Sequence, residues 1–167
     1  MPPNTWAERF DRAKTLSDIF ELVKRAVESA LGLRRAGLML VLADMGGTRS
    51  QWLGAFYPVA TNAIFMNRST LRVLEDEKPE LWKPYVFHVL LHEYLHTVGY
   101  LDELSTRRYA LMVSEQLFGG EHIATDIARD ITKYLPSFVY PQLGIAPAYG
   151  NPEIVRDFDK GSASYIQ

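Results

Sequence analysis

The chain has 167 residues, 47% hydrophobic and 23% charged, with a formal net charge of −2; that is the length of one domain with a full core and short for two. The near-neutral balance gives no support to a general nucleic-acid binder, which needs an excess of Lys and Arg to displace counterions from phosphates. There is no cysteine, so disulfides and thiolate metal sites are excluded, and any metal must be held by His, Asp or Glu.

The opening stretch, MPPNTWAERFDRAK, has charges where a signal peptide needs an apolar core. Residues 15–32 read as an amphipathic helix. Leu16, Ile19, Phe20, Val23, Ala26, Val27 and Leu31 recur at three- and four-residue spacing, and Gly32 stands where a helix stops. Residues 37–43, GLMLVLA, are short and apolar and run into MGGT, the pattern of a buried strand ending in a turn. Two further strand-like runs, 53–59 and 62–67, lie side by side in sequence; Asn62 and Asn67 suggest that the second sits at a sheet edge. The longest uncharged run, 51–66, contains Gln, Pro, Thr and Asn and falls short of a membrane span. A cytoplasmic protein of one domain, residues 1–167, with no membrane partner is expected.

After the charged EDEKPE, residues 83–99 form the clearest helix, with Pro84 in the first turn and Gly99 at the stop. Val86, Phe87, Leu90, Leu91, Leu95 and Val98 give it a wide apolar face. A helix is predicted from about 103 to 118, ending at Gly119-Gly120, and another from 122 to about 134. Residues 136–153 carry a proline or glycine every few positions and are expected to be irregular. Helix, then strands, then helices indicates an α+β domain with its sheet in the N-terminal half.

The chemistry is concentrated in HEYLHTVGYLD, residues 92–102. His92 and His96 are four apart, hence one turn apart on nearly one helix face, and two imidazoles can converge on one ion. Glu93 follows His92 directly, so its carboxylate lies beside the metal rather than on it. This is the arrangement of a zinc hydrolase, in which the metal brings a water's pKa to about 7 and the glutamate takes its proton as it attacks a carbonyl. Gly99 and Asp102 extend the pattern to HExxHxxGxxD. On a straight helix Asp102 would lie about 9 Å beyond His96. It can reach the metal only if the helix breaks, and Gly99 permits a sharp left-handed turn there.

Those residues resemble the active-site segment of zincin metallopeptidases, and the Gly and Asp are similar to the short metzincin-like branch with the HExxHxxGxxD signature. The resemblance covers closely only residues 92–102. It implies a zincin-like domain with a small mixed sheet, an edge strand along the cleft, an active-site helix and further C-terminal helices. It also implies a Zn2+ cofactor and hydrolysis of a peptide or protein substrate, with Glu93 as general base and an extended peptide adding to the strand at 62–67. The methionine turn of metzincins has no counterpart, since the last methionine, Met112, falls inside a predicted helix.

The third ligand stays open. Asp102 is the first choice, although it also fits as the cap of the helix beginning near Glu103. His122, after two glycines, and Glu115, on the next helix, are the alternatives. His88, one turn before His92, is too far from His96 to share its ion and reads as a packed or supporting residue. Tyr94, Tyr100, Tyr140 and Tyr149 are possible oxyanion donors. Two other functions compete. A bacterial endoribonuclease family has a similar helix, HGxxHxxGxxH, but Glu93 and the charge balance tell against RNA hydrolysis. A non-catalytic zinc-binding or interaction protein would be favoured by a closed shell of four ligands, for example Asp102 and His122 together.

Overall fold

The computed structural model describes residues 5–45, 52–141 and 147–159. They form a mixed α/β arrangement of six α-helices and a small mixed sheet. No helix among them is long and apolar enough to cross a membrane. The turn expected at MGGT falls mostly on residues 46–48, outside the described residues.

Two helices come first, α1 (Trp6–Arg12) and α2 (Leu16–Leu31). Helix α2 starts in a capping box, in which Thr15 accepts from the Asp18 amide and the Asp18 carboxylate accepts from the Thr15 amide. It stops at Gly32, as expected. Its apolar stripe, Ile19, Phe20, Val23, Ala26 and Val27, is fully buried and packs against the helix that carries the histidines.

Strand β1 (Met39–Met45) pairs in parallel with β4 (Ala63–Asn67), which pairs antiparallel with β3 (Ala55–Phe56); with β6 (Tyr149–Ile154) the sheet order is β3-β4-β1-β6. Within the run at 62–67, β4 is therefore an interior strand and not an edge, with Phe65 and Met66 covered by β3 where a peptide was expected to add. Asn67 explains the misreading. It is 3% exposed and ties neighbouring segments together: its Nδ2 donates to the Leu53 carbonyl (2.9 Å), and its Oδ1 accepts from the amides of Met45 (3.2 Å) and Ser69 (3.1 Å). A satisfied polar side chain belongs inside as readily as out. Strand β2 (Trp52–Leu53) continues toward β3 through Gly54 and pairs in parallel with β5 (Phe138–Val139). A Cβ on Gly54 would lie 2.6 Å from the Phe138 ring and 2.9 Å from the Tyr85 hydroxyl, so glycine is what allows this close packing.

The proline- and glycine-rich tail is more ordered than expected. Besides β5 it supplies β6 (Tyr149–Ile154), antiparallel to β1 with a register shift between Leu42 and Asp44, so the sheet is not confined to the N-terminal half. Pro152 is tolerated because β6 is an exposed edge strand. Beyond it Asp159 pairs with Lys24 and accepts the Gly37 and Leu38 amides, 3.1 Å each.

Helix α3 (Arg68–Glu77), not expected from the sequence, runs into the charged EDEKPE at residues 75–80. Asn67 caps it, and Leu71 and Leu74 are its buried face. Helix α4 (Pro79–Thr97) begins one and a half turns before Pro84, with Pro79 in the first turn. It is buried on all sides from Pro84 to Thr97, the condition of a central helix rather than a surface one. Helix α5 (Glu103–Phe118) has the predicted limits. Helix α6 (Ile123–Arg129) is shorter than predicted, because Asp130 turns extended and caps a 3-10 turn at Ile131–Lys133.

Candidate metal centre

Helix α4 ends as the Gly99 reading requires. Gly99 has φ 118°, and the Tyr100 amide reaches back to the Leu95 carbonyl (3.0 Å), a Schellman-type closure that turns the chain away. Two residues later α5 begins. The Asp102 carboxylate accepts the amides of Leu104 and Ser105, 3.1 Å each, so Asp102 is the cap of α5 and not a ligand.

The carboxylate beside the histidines is that of Glu103. Its two oxygens lie 3.0 Å from His92 Nε2 and 3.0 Å from His96 Nε2, and the three donor atoms fall within 4.8 Å of one another. Ligands of a tetrahedral zinc at about 2.0 Å are separated by about 3.3 Å, so this set is close to the spacing a bound ion needs. Sequence reasoning missed Glu103 because it took the motif to end at Asp102. The available signal was that a cap at Asp102 makes the next residue a first-turn acid facing back toward the preceding helix.

The other two alternatives lie elsewhere. His122 caps α6 by accepting the Ala124 amide (3.1 Å), and its ring stacks on Phe118 (4.5 Å). Glu115 is half exposed beside Arg129, 3.8 Å away. A four-ligand shell containing Asp102 and His122 is not formed.

The two histidines differ in their second nitrogen. His96 Nδ1–H donates to the Tyr100 carbonyl (2.7 Å), which directs its Nε2 toward the site. The Thr106 hydroxyl braces this corner, 3.0 Å from the Tyr100 carbonyl and 2.7 Å from that of Asp102. His96 faces an acceptor at each nitrogen, and its pKa is raised, burial being outweighed by Glu103, Glu93 and the Tyr100 carbonyl. Glu103 is pushed the opposite way, to about 2, because the hydrogen bonds from His92 and His96 overcome its partial burial. Two imidazole nitrogens and a carboxylate turned toward one point are a donor set for a divalent cation, so the residues fit one. Among the described residues His92, 1% exposed, has no partner for Nδ1, and burial lowers its pKa.

Glu93 is 4% exposed, its Oε2 has no partner among the described residues, and burial raises its carboxyl to about 8. His88 is buried, its pKa lowered to about 3 by burial and by the neighbouring His92 and Arg107; its Nε2 is hydrogen-bonded with the Tyr140 hydroxyl at 2.7 Å. Of the four tyrosines, Tyr140 is the one stacked at the site, its ring 4.5 Å from that of His92. Tyr94 donates to the Arg35 carbonyl, Tyr149 packs on Phe65, and Tyr100 contributes its backbone. Comparison with protein-family models, curated protein sequences and solved structures gives no match, so the chemistry is read from these residues alone.

Proposed function

We propose that the protein is a zinc-dependent metallopeptidase on a zincin-like domain, holding the ion on His92, His96 and Glu103. One observation carries the reading: two imidazole nitrogens and a carboxylate converge next to a second, buried carboxylate that has an unpartnered oxygen. Three protein ligands rather than four is the pattern of a catalytic zinc site, because a position stays open. Bound zinc supplies a Lewis acid that polarises a carbonyl and acidifies a water. Glu93, beside the ligand set, would take a proton from a water as its oxygen adds to the carbonyl carbon, and return it to the amine as the C–N bond breaks. Burial raises its affinity for the proton, and a neighbouring cation draws it back toward neutrality. His96, fixed by Tyr100, and Glu103, fixed by the adjacent cap, keep the donor atoms in place.

Protein supplied with zinc is expected to hold about one ion per chain. His96→Ala is expected to lose it, and Glu93→Gln to keep it. On a library of quenched fluorescent peptides, Glu93→Gln should fall about 10²- to 10⁴-fold below wild type. Zinc binding with no cleavage, or cleavage indifferent to Glu93, would reject the peptidase.

A further inference from the structure

Beside the metal centre lies a cavity of about 290 Å³, lined by Arg107, Arg129 and Asp130 on one side and by Phe138, Val139 and Tyr140 on the other. Tyr140 forms the wall between the cavity and the histidines. Its ring stacks on His92 and also takes the Arg107 guanidinium at 4.4 Å from its centre. Arg107 is one helical turn after Glu103 on α5, so both emerge on the same face.

The charges in this cavity are not equivalent. Arg129 is committed to Asp126 (3.0 Å), Glu115 (3.8 Å) and the Gly120 carbonyl (3.2 Å). The Asp130 carboxylate accepts the Thr132 amide and hydroxyl. Arg107 has the Tyr140 ring as its contact and neither a hydrogen bond nor a carboxylate among the described residues. Arg107 is exposed, with its guanidinium held over the Tyr140 ring, and a guanidinium so placed keeps N–H donors available for a carboxylate in two parallel hydrogen bonds. A cation with unused donors, lining a cavity one ring away from the candidate centre, is arranged for an anionic part of the substrate.

We propose that Arg107 anchors a carboxylate of the peptide substrate in this cavity, which makes the protein selective for peptides carrying a negative charge near the cleaved bond. The proposal rests on the metallopeptidase reading and names its substrate class. The carboxylate is either the C-terminal group of a short peptide or an Asp or Glu side chain, and paired ligands separate the two.

The test measures binding to zinc-loaded Glu93→Gln protein, so that no turnover is needed. N-acetyl-Ala-Phe-Ala is titrated as free acid and as C-terminal amide, and N-acetyl-Ala-Asp-Ala amide against its Asn counterpart. In at least one pair the acid is expected to bind about tenfold more tightly than its neutral partner. Adding Arg107→Ala should bring that ratio to about one, while Arg107→Lys, a point charge without the fork, should keep part of it. The pair that discriminates identifies the source of the carboxylate. Equal binding within both pairs, absence of binding by all four peptides, or discrimination that survives Arg107→Ala would overturn the assignment. Arg107→Gln, with its zinc content and Tm measured in parallel, separates lost recognition from lost structure. Zinc-loaded wild type that binds the acid selectively and cleaves no peptide would count against the peptidase and leave the anchor standing.

Discussion

The two ends of the histidine segment of α4 are built differently. Around His96 polar groups are paired: Nδ1 with Tyr100, Nε2 with Glu103, and Asp102 with two amides of α5. Around His88, His92 and Glu93 the pairing is incomplete: each Nε2 has a partner, but His88 Nδ1, His92 Nδ1 and Glu93 Oε2 are buried without one among the described residues. An unmade buried hydrogen bond costs about 1–3 kcal/mol, so such a cluster is retained only where something else recovers the loss. The paired end is a holder. The incompletely paired end offers buried polar atoms to a water or a ligand.

Removing Glu103 should break this contrast most completely. Glu103→Ala is expected to lower zinc affinity more than about a hundredfold, beyond the range seen when only a supporting partner is lost; competition with a chelator of known affinity measures it. Retention of zinc by that variant would return the third position to another residue. Next comes Gly54→Ala, which forces a methyl group against Phe138 and Tyr85 on the unpaired side. About 1–3 kcal/mol of stability should be lost by denaturant unfolding, with zinc still bound. A variant as stable as wild type would mean that β5 moves aside freely.

Thr106→Val keeps the shape of the brace and removes its hydroxyl. A loss of about tenfold in zinc affinity is expected, because His96 is then oriented by one contact fewer; unchanged affinity would show that the Tyr100 carbonyl suffices. Asp102→Ala should cost about 1 kcal/mol through the lost cap of α5, with one zinc per chain retained in elemental analysis. Loss of the ion in this variant alone would restore Asp102 as a ligand.

The smallest effect lies far from either end. Asp126 is lowered to about 2 by hydrogen bonds from Lys133 and then Tyr134, against a slight opposing effect of burial. A depressed carboxylate stabilises the fold above its unfolded pKa, near 3.8, and that contribution disappears as the pH falls through about 2. Thermal unfolding followed from pH 5 down to pH 2 should therefore show a decline that Asp126→Asn reduces. Identical profiles would remove Asp126 from the acid response.

What the sequence disclosed was local. Helices with a cap and a stop, such as α2 and α5, were readable to within a residue or two, because Thr15, Gly32, Asp102 and Gly119 act on their immediate neighbours. The pairing of His92 with His96 follows from helical spacing alone. Long-range placement was not readable. Asn67 looked like an edge residue because its three partners come from separate segments, and Tyr140 could not be told from three other tyrosines because it meets His88 across 52 positions of chain. Short α1 and α3 bury only Phe10 and only Thr70, Leu71 and Leu74, too few positions to mark a helix over several turns. Glu103 was lost to a template that stopped one residue early.

The adjacency of Asp102 and Glu103 has a consequence for how the ion is acquired. The cap that starts α5 fixes the backbone of the next residue, and the helix dipole favours the Glu103 negative charge at that end. The entropy of assembling the chelate is thus spent during folding rather than at capture. Loading should proceed as a docking event, with little change in far-UV circular dichroism and a small heat-capacity change, unlike the coupled folding of a zinc finger.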